Sequence, residues 1–209
     1  MDLSRAGIVV VLISKSVRSK LRALNKRDRE EPPAMSYSLY QASVPTFVRS
    51  LNAFLAVLDK AEAHAAAAKF DPQVYLTLRL RPDMYAFARQ VQAFCDHAKI
   101  ASHRVAGLEP PRFEDTESTL DELRARIRRT LEAIAKIDAK TIDAGAEREV
   151  AIPIGGGRKA MTTGGNYLTH FALPNFYFHL VTAYDILRYA GVPIGKRDYL
   201  GEPPNVTIV

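Results

Sequence analysis

Cysteine is almost missing from this chain. Cys95 stands alone among 209 residues, so no internal disulfide can form, and a reducing cytoplasm is the expected home. Long apolar runs are missing too. The run AGIVVVLI, Ala6 to Ile13, is far short of the ~20 residues that span a bilayer. A secretory signal is also excluded, because no small-x-small cleavage site follows and the heavy positive charge lies on the wrong side of the apolar run. No Ser or Cys sits in a nucleophile-elbow setting, and no strand-glycine-helix unit suits a dinucleotide. The Glu-x-x-His step of di-iron bundles is absent as well.

Positive charge is present, but little of it belongs to the body of the chain. Residues 1–34 hold eight Lys or Arg against four Asp or Glu, contributing +4 of the net +6. The remaining 175 residues are nearly balanced and give no basis for a nucleic-acid surface. The basic stretch has two readings. It is a poorly ordered extension ahead of a domain that opens at Met35 and runs to residue 209. Alternatively, Val17, Leu21 and Leu24 form the apolar side of a basic helix on an anionic membrane surface, in which case translation starts at Met1.

From Met35 onward the length fits one domain, which buries about 70% of its unfolded surface without a staple. Apolar residues recur at helical steps. Phe47, Leu51, Phe54, Leu55 and Leu58 predict a first helix from about Val44 to Lys69, ended by Asp71-Pro72. Pro82 is placed to open a second helix, in which Met84, Phe87, Val91, Phe94, Ala98, Ala101 and Val105 form a core stripe ending at Gly107. Leu120, Leu123, Ile127, Leu131, Ile134 and Ile137 predict a third helix capped by Thr116 or Ser118. Its Arg124, Arg126, Arg128 and Arg129 read as a solvated face, since Glu122 with Arg126 and Arg128 with Glu132 have ion-pair spacing.

One β signal stands out. Glu149 to Ile154 alternates, Gly155-Gly156-Gly157 turns, and Arg158 to Thr163 returns as a hairpin, with Pro153 confining its strand to an edge. A phosphate-cradling glycine loop would need a helix directly after it, and a strand follows instead. The fourth helix is the segment PNFYFHLVTAYDILRYAG, from Pro174 to a glycine stop at Gly191. It is apolar nearly all round, which marks it as buried, except for a polar seam of Asn175, His179 and Thr182 at helical spacing. The sum is an all-α antiparallel four-helix bundle with a small hairpin between helices three and four.

The segments PNFYFH, TAYDILR and GVPIGKRDYLG, with CDHAKIASHRVAG in helix two, resemble an uncharacterised bacterial family within the DinB-like four-helix-bundle superfamily. The likeness runs from about Tyr37 to Gly201. It implies the bundle fold, and through better-known relatives a three-histidine metal site serving transferases of small thiols. One metal histidine is expected in helix two and two more, four apart, in helix four. His97 stands at the helix-two position and His179 in helix four, but Asn175 lies four before it and Ala183 four after. A metal held by His97 and His179 would be Zn, Ni or Fe, and the enzyme a metal-dependent transferase or hydrolase.

Helical geometry places His97 about 80° from the centre of its core stripe, with Cys95 on the other flank, and turns His103 outward. Asn175, His179 and Thr182, with Tyr184 on the next turn, are the candidate ligand-binding residues, facing a cavity between helices two and four. A lone histidine on a buried helix is more often a hydrogen-bonded core residue, and that reading stands beside the functional one. His64 and His170 are assigned to surface or packing. Lys196, Arg197 and Asp198 form either an anion-binding loop or an ordinary docking turn. The alternative function is a non-catalytic interaction protein, homodimeric, that has lost the metal site.

Overall fold

The computed structural model describes residues 38–154 and 156–202. The basic extension over residues 1–34, and the membrane-surface reading that depends on it, lie outside them. Helix α1 spans Leu39–Ala68 and starts earlier than the apolar spacing indicates, with Pro45 inside it. The Ser38 side chain accepts the Gln41 N–H at 3.0 Å and supplies the cap. A 3₁₀ turn, Pro72–Thr77, leads to α2 (Phe87–Ala106). Pro82 does not open α2. It lies in a turn closed by Met84 N–H on the Arg81 carbonyl, and the Phe87 N–H donates to Leu78 at 2.8 Å.

Helix α3 (Leu120–Ala135) is capped by Thr119, not by Thr116 or Ser118. Thr119 is the position from which a glutamate three residues on can reciprocate. Thr119 Oγ1 accepts the Glu122 N–H at 3.1 Å, and Glu122 Oε2 accepts the Thr119 N–H at 3.1 Å. Glu122 is therefore spent on the cap. Of the expected solvated arginines, Arg128 and Arg129 are exposed, but Arg124 and Arg126 are buried. A short α4 (Ala139–Asp143) precedes β1 (Glu149–Pro153) and β2 (Lys159–Thr163), which pair antiparallel with Glu149 opposite Thr163.

The fourth bundle helix begins at Gly164, well before Pro174. It runs as α5 (Gly164–Tyr167), one π turn (Leu168–Ala172) and α6 (Leu173–Tyr189). Proline within a helix removes one hydrogen bond and presses its ring on the carbonyl four residues back; the wider turn ahead of Pro174 absorbs both. A last short helix, α7 (Lys196–Leu200), docks on α1 through Lys60 and Asp198 at 2.7 Å. Gly201 (φ +63) ends it, where a Cβ would lie 2.9 Å from that of Ala53.

Helices α1, α2, α3 and α5–α6 form the antiparallel bundle, with α2 packed against both α3 and α6. Its core is built from Phe47, Leu51 and Phe54 of α1, Val91, Phe94 and Ala98 of α2, Leu123 and Ile127 of α3, and Phe176 and Leu180 of α6. Phe47 meets Phe176 edge-on at 4.8 Å between centroids, and Phe54 meets Phe94 at 4.9 Å. Among the described residues no helix is long and apolar enough to cross a membrane.

Arg126, with no exposed surface, joins α3 to α2 and to the loop before α3. Its Nη2 donates to Asp96 and Asp115, each at 3.0 Å, and its Nη1 to Glu117 at 3.1 Å and the Glu114 carbonyl at 2.9 Å. Removing one partner of a buried ion cluster strands the others. Arg126→Met is therefore expected to cost about 3 to 5 kcal/mol in urea unfolding. Arg129→Met, which loses an exposed contact to Glu117 at 3.7 Å, should cost under ~1 kcal/mol.

Candidate functional site

Helix α2 carries Gln90 and His97 two turns apart on one face, and α6 carries His179 opposite them. The packing of α2 on α6 brings the two imidazoles together, with ring centroids 5.4 Å apart and planes only 13° from parallel. The Tyr85 ring continues the row, 6.1 Å from His179 at 17°. Phe178 stands edge-on to His179 at 5.2 Å, and Phe171 lies 6.3 Å from His97. Tyr85 and Phe178 are 53% and 56% exposed, whereas both histidines are half-buried, so the pair sits between open aromatic rims.

One hydrogen bond fixes the proton on His179. Gln90 is buried and its Nε2 donates to the Tyr85 carbonyl at 3.1 Å, which leaves Oε1 as the acceptor for His179 Nδ1–H at 2.7 Å. In the neutral ring the other nitrogen, Nε2, is then the lone-pair nitrogen. Burial pushes His179 below its ordinary value, and the Arg89 charge adds to the effect. Burial likewise drives His97 down to about 4, helped by the proximity of His179. Both rings are neutral at pH 7. His97 has no hydrogen-bond partner among the described residues.

The rest of the polar seam is tied to its own helix. Asn175 Nδ2 donates to the Phe171 carbonyl at 2.7 Å, inside the stretch that the π turn and Pro174 disturb. Thr182 is buried and its hydroxyl donates to the Phe178 carbonyl at 2.7 Å. Tyr184 lies on another face, 5.7 Å from the Tyr199 ring of α7. His103 is buried, not turned outward, with Nδ1 2.8 Å from the Lys99 carbonyl. His64 Nδ1 meets Tyr75 Oη at 2.7 Å, and His170 is exposed. Cys95 is buried, which pushes its thiol up to about 12 and leaves it inert.

These residues do not fit a three-ligand metal site. Among the described residues no group of three His, Cys, Asp or Glu is gathered. Ala183, where a second helix-four histidine would stand, is an alanine with no exposed surface, and Asn175 offers an amide in place of an imidazole. Gln90, Tyr85 and Arg89 are the contributors that apolar periodicity does not reveal. The spacing of Gln90 to His97, seven residues along one helix, is the one signal for them. Two surface concavities exclude the imidazole pair: one of about 430 Å³ beside Arg79 to Pro82, and one of about 300 Å³ where α2 ends.

The lowered value of His97 has a consequence for stability. An unfolded histidine titrates near 6.5, so as pH falls from about 6.5 toward 4 the unfolded chain takes up a proton that the folded ring refuses. Stability from this residue is thus full above that window and lost on acidification. Urea midpoints compared at about pH 7.5 and 5 should fall in the wild type, and His97→Phe should flatten the decline.

No curated protein matches the chain. The domain-of-unknown-function model DUF1993 matches residues 39–200. A crystal structure of a DinB family member protein from Shewanella denitrificans is similar at 38% identity, with a TM-score of 0.75, over 81% of this chain and 96% of that one. The match spans all four bundle helices and both imidazoles, and the chain belongs to the DUF1993 family, on a DinB-type helical bundle.

Proposed function

We propose that the chain binds a small planar molecule on the His97–His179 pair, in the groove between α2 and α6. The observation that supports this is the Gln90 bond to His179, which holds a neutral imidazole with a lone-pair nitrogen beside a second neutral imidazole that has no hydrogen-bond partner among the described residues. Such a pair accepts hydrogen bonds, so the ligand carries N–H or O–H donors. The exposed rings of Tyr85 and Phe178 offer faces for its planar body. Binding is favoured over proton abstraction, because a base near 4 is poorly matched to work at neutral pH. A metal-dependent transfer or hydrolysis is not assigned, since the third ligand is not in place.

A specific feature supports homodimerisation as a second reading. The outer face of α6 exposes Phe178, Val181 and Tyr189, the last at 85%, and between them Asp185 and Arg188 have no ion-pair partner among the described residues. Sedimentation equilibrium is expected to show a dimer that Val181→Lys dissociates; a wild-type monomer would retire this reading.

Thermal-shift titration with small phenols and aromatic amides is expected to stabilise the wild type, with the effect abolished in His97→Phe, His179→Phe. Stabilisation that persists unchanged in that double variant would count against the groove. Metal analysis of protein purified without a histidine tag is expected to give far less than one equivalent of Zn, Ni or Fe. Near-stoichiometric metal that vanishes in His97→Ala, His179→Ala would overturn the metal-free reading.

A further inference from the structure

The concavity where α2 ends is built around a guanidinium. Helix α2 stops at Ala106 and Gly107 takes φ +74, a conformation that favours glycine. Arg148 lies against it so closely that a Cβ on Gly107 would fall 2.9 Å from Arg148 Cζ. From there Arg148 Nη1 donates to the Val105 carbonyl. Two further glycines make room for this arrangement. A Cβ on Gly145 would lie 1.9 Å from the Val105 oxygen, and one on Gly164 would lie 2.2 Å from the Gly145 oxygen.

Two more cations line the same space. Arg104, in the last turns of α2, donates to the Ala151 carbonyl at 3.4 Å and lies 5.9 Å over the Tyr167 ring. Lys159 on β2 is exposed and meets no carboxylate among the described residues. Against the three stands one lining carboxylate, Glu149, and the half-open cleft has a volume of about 300 Å³. Satisfying the last carbonyls of α2 explains one of these cations, Arg148. Arg104 and Lys159 line the same space without serving those carbonyls. A guanidinium has five N–H donors, so one bond to a backbone carbonyl leaves Arg148 most of its fork.

We infer that this cleft is an anion site for a small phosphoryl compound, inorganic phosphate or a phosphomonoester. Two guanidinium forks and an ammonium match a tetrahedral dianion, whose several oxygens each take a charge-assisted hydrogen bond. The volume lies at the lower end of small-molecule pockets and admits a phosphoryl group with a short substituent. The cleft shares no lining residue with the imidazole pair, so it stands or falls independently of that groove.

The test is isothermal titration calorimetry on the full chain with inorganic phosphate and, separately, glycerol 3-phosphate, at ionic strength held constant with sodium chloride. One equivalent of phosphate should bind. Lys159→Glu should weaken it by at least about tenfold, and Glu149→Gln should tighten it a few-fold. Tighter binding of glycerol 3-phosphate assigns the site to an ester, and equal or weaker binding assigns it to the free oxyanion. No binding beyond the chloride control, or an affinity unchanged by Lys159→Glu, overturns the inference.

Discussion

A guanidinium with no exposed surface, that of Arg126, is the constraint around which much of this bundle is arranged. Burying a cation costs several kcal/mol unless anions and carbonyls surround it, and here the partners come from separate parts of the chain. Asp96 comes from α2; Asp115, Glu117 and the Glu114 carbonyl come from the loop before α3. An irregular segment without regular hydrogen bonding of its own is thereby held against two helices. Phe113 sits beneath it, with Lys99, Arg129 and Arg126 at 4.1, 4.6 and 5.4 Å from its ring centroid.

That cluster reaches the imidazole pair through two carboxylates, Asp115 and Asp96. Asp115 accepts from Arg126 with one oxygen and from Arg89 with the other, at 2.8 Å. Arg89 lies 5.5 Å over Tyr85, the first ring of the row that continues through His179 to His97. On the other side, Asp96 precedes His97 in sequence and is held by both Arg126 and Lys99. The helix turn that presents His97 is therefore fixed from inside the molecule. A surface fixed in this way would lose little freedom on taking up the proposed ligand.

Apolar periodicity was enough to read four helices, a hairpin and most of the core, because burial of one helical face is what period 3.6 reports. The boundaries were less legible. Apolar spacing starts the first helix near Val44 and Pro82 looks like a helix start, yet α1 begins at Leu39 and Pro82 lies in a turn ahead of α2, since capping by Ser38 and the Phe87 bond to Leu78 decide those ends. The α5–π–α6 path was hidden because Pro174 reads as a helix start, whereas a π turn carries the helix through it from Gly164. The arginines of α3 were misread for a different reason. Spacing shows which charges can pair along one helix, but the partners of Arg124 and Arg126 include residues of α1, α2 and a loop, which no local pattern contains. For the site, the polar seam of helix four marked His179 and the resemblance added His97, while Gln90, which sets the proton, was signalled only by its seven-residue spacing from His97.

The departure from a three-histidine pattern has a local physical basis. Position 175, four residues before His179, falls just after Pro174 and the π turn, where backbone bonding is interrupted. Asn175 donates its side-chain amide to the Phe171 carbonyl there. That amide-to-carbonyl bond ties the side chain at position 175 to the interrupted turn of its own helix. On the far side of His179, Ala183 has no exposed surface, and an imidazole there would have to displace core packing. Each position is committed to the fold, and the two histidines that remain are held by Gln90 and by their neighbours in a neutral, hydrogen-bond-accepting state. The packing of α2 on α6 is what keeps the imidazole pair together.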